Sequence, residues 1–268
     1  MHYHLISTLL LAGGCANPSD DSAITTQPVA AVTACVGDIL EHLEAAGGNV
    51  KTIRCAVHYT VIDRLNITET TKYGRILFKR SEPHPMFLIH FNKLVAEDVV
   101  RRDKEWWLFR DRWLWEIKGK SKTIIKREIL RPGEQVDFFN LESTPFPLPF
   151  GQRKNQILKN FEVSLVEPQV GDPGGCDHLL CRPKENAPLA EEYRRLDFYI
   201  SKELNLPLRI VAEDAKGNKV SVADFPDLEV EECLNVPLPD AAFDQPPPSR
   251  GFQISQENLP PPDPGGSH

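Results

Sequence analysis

Closely spaced runs of alternating apolar and polar residues constrain the fold of this chain most. "KTIRCAVHYTVID" (51–63) places five alternate side chains, from Ile53 to Val61, on one side of an extended chain, because neighbouring side chains of a strand point to opposite faces. "TKYGRILFKR" follows after a polar break at Asn66. The two runs therefore predict a β-hairpin.

Similar runs continue along the chain. They are "MFLIHF" (86–91), "EWWLFRDRWLWEI" (105–117), "KTIIKREIL" (122–130), "RLDFYIS" (195–201), "PLRIVAE" (207–213) and "KVSVADF" (219–225). Together they predict roughly nine to eleven strands at the spacing of an antiparallel sheet. A chain of 268 residues, 41% of them hydrophobic, is long enough to bury the core of one large domain or two small ones.

All four tryptophans lie within residues 105–117, where two short strands turn around Arg110 to Arg112. Alternation places Trp107 and Phe109 on one face of the first strand. In the second strand it places Trp113 and Trp115 together. The sheet is therefore expected to carry a large aromatic surface.

Two helices are predicted beside the strands. "TACVGDILEHLEAA" (33–46) has an apolar stripe at helical spacing and ends at Gly47-Gly48. In "STPFPLPFGQRKNQILKNF" (143–161), the prolines up to Pro149 exclude regular structure, and Ile157, Leu158 and Phe161 then recur at helical spacing. This second segment fits either a lid across the mouth of a curved sheet or an ordinary connection packed on the core.

The N-terminus resembles a bacterial lipoprotein signal. The apolar stretch from Leu5 to Ala12 is too short to span a bilayer. "LAGGC" then leads to Cys15, although Leu11 stands one place early and the first residues contain no Lys or Arg. One interpretation is a signal segment (1–15) with lipidation at Cys15 and a flexible polar tether (16–31). The other is the start of a short apolar helix with an incidental cysteine.

Signatures of catalysis and metal binding are weak. "GKS" (119–121) lacks the glycine that a phosphate-binding loop needs five residues earlier, and HExxH, GxSxG and GxGxxG do not occur. In "CDHLLC", Cys176 and Cys181 point to opposite faces of a strand, so the sequence predicts neither a shared metal nor a mutual disulfide there. No cofactor is expected. A net charge of -7 gives no general attraction to nucleic acid, so none is expected as a partner.

The remaining cysteines leave their pairing open. Cys35 and Cys55 meet if the first helix packs on the sheet. Cys233 has no predicted partner, and an odd number of thiols cannot all pair once Cys15 is set apart.

Four segments, in order, resemble LolA-like proteins, the family of lipoprotein carriers and lipoprotein-sorting proteins. They are "GRILFKRSEPHPMF", "RRDKEWWLFRD", "LNLPLRIVAEDAKGNKVSVADFPDLEV" and "PDAAFDQPPPSRGFQI". The residues that carry the resemblance are Trp107, Phe109, Leu206, Pro207, Asp214, Gly217, Asn218, Phe225, Asp240, Phe243 and Gly251.

The resemblance implies an α+β fold over residues 32–254. In it an incomplete antiparallel β-barrel, or half-barrel, wraps around the N-terminal helix and a mid-chain lid helix. Residues 255–268 are expected to form a disordered Pro/Gly-rich tail. An apolar cavity would receive acyl chains, and its expected lining is Phe78, Phe87, Ile89, Trp107, Phe109, Trp113, Trp115, Ile157, Phe161, Leu196, Phe198 and Ile200.

The implied function is a non-enzymatic binding protein on the periplasmic side of the bacterial cell envelope. Its partners would be lipoprotein acyl chains or another lipid, proteins of lipoprotein sorting, and the membrane through Cys15. Ala16, by resemblance to known sorting rules, points to the outer membrane. The alternatives are an envelope stress or lipid sensor, a structural subunit with a filled core, and a hydrolase with its site near Asp177 and His178.

Overall fold

The computed structural model describes residues 29–134, 150, 152–244 and 250–260, with the side chains of the first helix described from Val36 onward. The predicted signal segment with Cys15, and the tether up to residue 28, lie outside the described residues. So do the prolines from residue 145 to 149.

The described chain contains two α-helices and twelve strands. The helices are α1 (Val29–Asn49) and α2 (Lys154–Asn160). The first six strands are β1 (Thr52–Asp63), β2 (Thr68–Lys79), β3 (Met86–Ala96), β4 (Val99–Arg110), β5 (Trp113–Lys118) and β6 (Thr123–Glu128). The other six are β7 (Phe161–Val166), β8 (Cys176–Pro183), β9 (Tyr193–Ser201), β10 (Pro207–Asp214), β11 (Lys219–Asp224) and β12 (Gln253–Glu257).

All twelve strands form one sheet in the order β12-β6-β5-β4-β3-β2-β1-β11-β10-β9-β8-β7. Every pair is antiparallel except β12 with β6, which is parallel. The two outer strands, β12 and β7, do not pair with each other in the described part of the chain, so the sheet stays open. This is the α+β half-barrel that the resemblance to LolA-like proteins implies.

The register aligns one row of side chains across seven strands. Ile53 lies opposite Phe78, Phe78 opposite Phe87, and Phe87 opposite Phe109. The row continues through Leu114, Arg127 and Glu257 at the edge of the sheet. We call the face that carries this row the inner face and the opposite one the outer face.

Three apolar clusters fill the two faces. The first lies on the inner face of β1–β5, around Phe78, Phe87 and Phe109. The second joins β7–β9 to α1 and α2, around Leu40, Phe161 and Phe198. The third lies on the outer face, where Leu108 packs against Phe243 of a short 3₁₀ helix, Asp240–Phe243. The domain core therefore stretches along the whole sheet.

Two element boundaries differ from the sequence prediction. The first helix runs from Val29 to Asn49, so it includes residues 29–31 of the expected tether and passes through Gly47-Gly48 before it ends. At the other terminus, β12 extends to Glu257. The first residues of the expected disordered tail therefore belong to the sheet, because their backbone pairs with β6.

Candidate functional site

The expected cavity residues fall into three separate places. Four of them, Phe78, Phe87, Ile89 and Phe109, are buried in the first cluster. Five of them, Ile157, Phe161, Leu196, Phe198 and Ile200, are buried in the second cluster. Trp113 and Trp115 lie on the outer face, and Trp107 lies beside the first cluster, partly buried.

A tight turn separates the tryptophans. Only Asp111 and Arg112 connect β4 to β5, so Arg110 pairs with Trp113 and Leu108 with Trp115. Asp111 takes a positive φ of 60° in this turn. Trp113 and Trp115 therefore share the outer face with Leu108, while Trp107 and Phe109 lie on the inner face. The expectation that all of these side chains line one cavity does not fit this register.

The large aromatic residues of the first cluster are covered by other parts of the same chain. Phe87 and Phe109 are stacked, with ring centroids 5.9 Å apart, and neither is exposed. Phe150 packs edge-on against Phe225, with centroids 4.8 Å apart, and belongs to the same cluster. These residues form a closed core rather than an open lining.

An apolar pocket opens where the inner row approaches the edge of the sheet. Its volume is about 400 Å³, which is within the range of small-molecule sites, about 300–1,000 Å³. Trp107 and Leu114 contribute from the sheet, and Ile129 from the segment after β6. Its other lining residues are Arg127, Glu128, Glu257, Asn258, Leu259 and Pro260.

Hydrogen bonds fix Trp107 at this position. Its indole Nε1 donates to Glu105 Oε1 at 2.9 Å, and Lys72 Nζ donates to the other oxygen of Glu105. Glu105 is buried, so both of its oxygens need such partners. Trp107 is therefore a wall residue of the pocket whose polar atom is satisfied.

The rim of the pocket is charged but internally paired. Arg127 donates from Nη1 to Glu116 at 2.9 Å and from Nε to Glu257 at 2.7 Å. Lys118 Nζ also pairs with Glu116 at 2.5 Å. Burial by itself raises the pKa of Glu116, but the hydrogen bonds from Lys118 and Arg127 outweigh burial and hold that pKa below its ordinary value. Paired charges of this kind leave the apolar walls as the surface that a ligand meets.

Sequence reasoning missed most of this pocket. Leu114 stands between two tryptophans in "WLW", and alternation places it on the face opposite to theirs. The short "DR" turn was the available signal, since a two-residue connection fixes which side chains oppose one another. Leu259 and Pro260 carry no periodic signal, because they lie beyond the last strand.

The predicted lid helix lies at the other edge of the sheet. Ile157 and Phe161 are buried against α1 and β7–β9, whereas Leu158 is exposed. Lys154 Nζ pairs with Glu41 of α1 at 3.1 Å. The helix therefore covers the second cluster, away from the pocket at Trp107, and its movement as a lid stays a prediction.

The two residues of the enzyme alternative have different partners. Asp177 lies 3.3 Å from Lys202 Nζ, whereas His178 Nε2 lies 2.9 Å from Asp197. His178 also stacks on Tyr199, with ring centroids 4.3 Å apart. Burial, assisted by the charges of nearby carboxylates, raises the pKa of Tyr199 to about 12. The arrangement is a packed His–Asp pair on the outer face, and Asp177 is not part of it.

The described cysteines are free thiols. Cys55, Cys176, Cys181 and Cys233 are all buried, and burial raises the pKa of each. Cys55 and Cys233 share the first cluster. The side chain of Cys35, the possible partner of Cys55, lies outside the described residues. The four described thiols stay protonated at neutral pH because their pKa values are raised.

The described residues contain no group of three or more His, Cys, Asp or Glu side chains that could hold a metal ion. Neither α1 nor α2 is long and apolar enough to cross a membrane.

Sequence comparison finds no matching protein-family model. It also finds no matching curated protein.

Comparison with solved structures finds partial similarities. An uncharacterized conserved protein from Thermus thermophilus is 14% identical, with 83% of this chain and 99% of that chain covered and a TM-score of 0.46. The lipoprotein LppX of Mycobacterium tuberculosis is 9% identical (79% and 99% covered, TM-score 0.43). A LolA superfamily protein from Nitrosomonas europaea is 16% identical (78% and 96% covered, TM-score 0.35). A LolA superfamily protein is thus among the structures found, as the sequence resemblance implies.

Proposed function

We propose that this chain is a non-enzymatic binding protein of the bacterial cell envelope that holds an acyl chain in the pocket at Trp107. One observation carries the proposal. An apolar pocket of about 400 Å³ opens beside an indole whose polar atom is already bonded. The lipoprotein-like leader supports the envelope location, and the resemblance to LolA-like proteins supports acylated ligands.

The size and walls of the pocket suit part of an alkyl chain. Each buried methylene contributes about 0.8 kcal/mol, so about eight of them contribute about 6 kcal/mol. That free energy corresponds to a Kd of roughly tens of micromolar. Such a hold is reversible, as the carriage or reception of lipoproteins requires, and a lipid sensor needs the same property.

A fatty acid brominated along its chain tests the proposal, because bromine quenches tryptophan fluorescence only at short range. We expect the probe to quench wild-type fluorescence in a saturable way. Trp107→Phe should remove most of that quenching, and Trp107→Ala should also weaken binding. Trp115→Phe is the matched control, since Trp115 lies on the outer face, and it should leave the saturable signal in place.

A structural subunit with a filled core is the second candidate function. It is favoured by the complete burial of Phe87, Phe109 and Phe150 within the first cluster. The same titration separates the two candidates. If no alkyl probe binds to wild type, or if Trp115→Phe loses as much quenching as Trp107→Phe, the acyl-binding proposal is wrong.

A further inference from the structure

A second concave surface lies near the turn of the β3–β4 hairpin. This groove, which we call the hairpin groove, has a volume of about 510 Å³. Its lining residues are Asn92, Lys93, Val100, Arg101, Arg102 and Lys104. Four of the six are cationic and none is acidic. The composition differs from that of the pocket at Trp107, where acids and bases are paired.

The four cations have no acidic partner among the described residues. Elsewhere on the sheet, basic side chains are used in ion pairs, such as Arg64 with Glu213 and Arg209 with Asp224. In the groove, only Lys93 has a specific side-chain contact, its Nζ lying 3.8 Å from the centre of the Tyr73 ring. All four are exposed. The four cations outnumber the three acidic residues of the same hairpin end, Glu97, Asp98 and Asp103, and none of the four forms an ion pair within the described chain.

The backbone beneath the groove is built to a fixed shape. The register between β3 and β4 shifts between Phe91 and Lys93, and the register between β2 and β3 shifts at the same level. Bulges of this kind bend a hairpin and redirect its side chains. The Gly119 N–H also donates to the Lys104 carbonyl at 2.7 Å. The cations are thus held at one end of a supported hairpin.

Apolar residues are exposed next to these cations. Val99 and Val100 are 47% and 64% exposed at the start of β4. The neighbouring β1–β2 hairpin has its turn at the same end of the strands. That turn exposes Leu65 and Ile67, by 69% and 91%. Exposed apolar side chains flanked by Lys and Arg are typical of surfaces that enter the headgroup region of a membrane.

We propose that the hairpin groove binds the phosphate groups of anionic phospholipids. Through it, the end of the sheet that carries the β1–β2 and β3–β4 turns docks on a membrane surface. Charge complementarity selects this partner, because four unpaired cations meet negative headgroups while the exposed valines reach the acyl boundary. The chain as a whole carries a charge of -7. The attraction therefore comes from this local excess of cations and not from the net charge, and it fixes which side of the molecule faces the membrane.

This proposal does not rest on acyl binding at Trp107. The groove belongs to the distal end of β3–β4, and its lining shares no residue with the pocket at Trp107. Either site can therefore fail its test without affecting the other.

Vesicle flotation tests the docking surface. The full chain carrying Cys15→Ser is used throughout, so that no acyl group on that residue contributes. Vesicles of phosphatidylglycerol and phosphatidylcholine are compared with vesicles of phosphatidylcholine alone. Each basic residue near an anionic surface contributes about fivefold to partitioning, so the double variant Arg101→Gln/Arg102→Gln should bind about thirtyfold more weakly.

The matched control removes the same charge elsewhere. Arg54 and Arg182 are exposed and lie outside the groove, so Arg54→Gln/Arg182→Gln should partition within about twofold of the parent. Far-ultraviolet circular dichroism confirms that each variant is folded. Equal binding by both double variants, or equal binding to the two vesicle types, would overturn the proposal. So would saturable binding of inorganic phosphate or of a protein partner through the same arginines without vesicle binding.

Discussion

The two halves of the sheet bury their inner faces in different ways. In the helix-covered half, β7–β10, the apolar side chains pack against α1 and α2, as Phe198 does with Leu40 in the second cluster. In the hairpin half, β1–β6 with β11 and β12, α1 takes part only through Ala46 near its C-terminal end. The other described cover includes Phe150 and, after β11, Phe225 and Leu228.

The two proposed sites lie in the hairpin half. A helix presents a continuous apolar stripe that can cover a sheet surface along its whole length. Irregular segments contribute separate apolar side chains and can leave gaps between them. The pocket at Trp107 and the hairpin groove both belong to the hairpin half. The following variants test this contrast, in order of decreasing expected effect on the free energy of unfolding.

Phe198→Ala should have the largest effect. Phe198 is 3% exposed in the second cluster, and truncation of a buried Phe typically costs about 3–5 kcal/mol. Urea denaturation followed by circular dichroism measures the loss. Alkyl binding at Trp107 should persist wherever the variant is folded. A decrease in the free energy of unfolding below about 1 kcal/mol would show that the packing of the helices on this half contributes little to stability.

Gly74→Ala should destabilise the hairpin half. A Cβ atom at this position would lie 2.2 Å from the His90 carbonyl oxygen, and such overpacking costs about 1–3 kcal/mol or more. Gly48→Ala is the matched control in α1, where an added Cβ meets nothing within 4 Å. It should stabilise the protein by about 0.5–1 kcal/mol. Thermal unfolding measures the change in Tm of each variant relative to wild type. Changes of the same sign in both variants would contradict this account.

Glu116→Gln should destabilise the protein at neutral pH by about 1.5–3 kcal/mol, because it removes charge-assisted hydrogen bonds from Lys118 and Arg127. The folded protein lowers the pKa of Glu116 from 4.5. Its stabilising contribution is therefore present above pH 4.5 and is lost as the pH falls through the lower folded value. Denaturation curves at a series of pH values should converge for the two proteins in acid. A constant difference would assign the effect to packing.

Glu257→Gln should have the smallest effect. The ion pair of Glu257 with Arg127 is exposed on both sides, by 55% and 35%, and such pairs contribute about 0.2–1 kcal/mol. The effect should shrink further in high salt. Chemical denaturation at low and high ionic strength measures it, and a large salt-independent loss would show that β12 is essential to the sheet.

Most strands and the antiparallel pairing of consecutive strands were predictable from the sequence because the signal is local, whereas the twelfth strand and its parallel pairing with β6 were not. Alternation over residues 51–63 or 195–201 reports on two neighbouring faces, and the structure has strands there. The face that each tryptophan occupies depends on the turn at Asp111 and Arg112, which shifts side chains between faces. The pocket depends on Leu259 and Pro260, more than a hundred residues from Trp107, and no local pattern reports such a contact.

The parallel pairing of β12 with β6 has a consequence for the behaviour of the protein in concentrated solution. An open sheet presents unpaired backbone N–H and C=O groups at each margin, where another chain can add. Here one margin ends in a strand of five exposed residues, "QISQE", and the other, β7, lies beside α1. Short polar margins and helical cover both oppose intermolecular strand addition. The half-barrel can thus remain unclosed, with room for a ligand, while strand addition by a second copy of the chain is disfavoured.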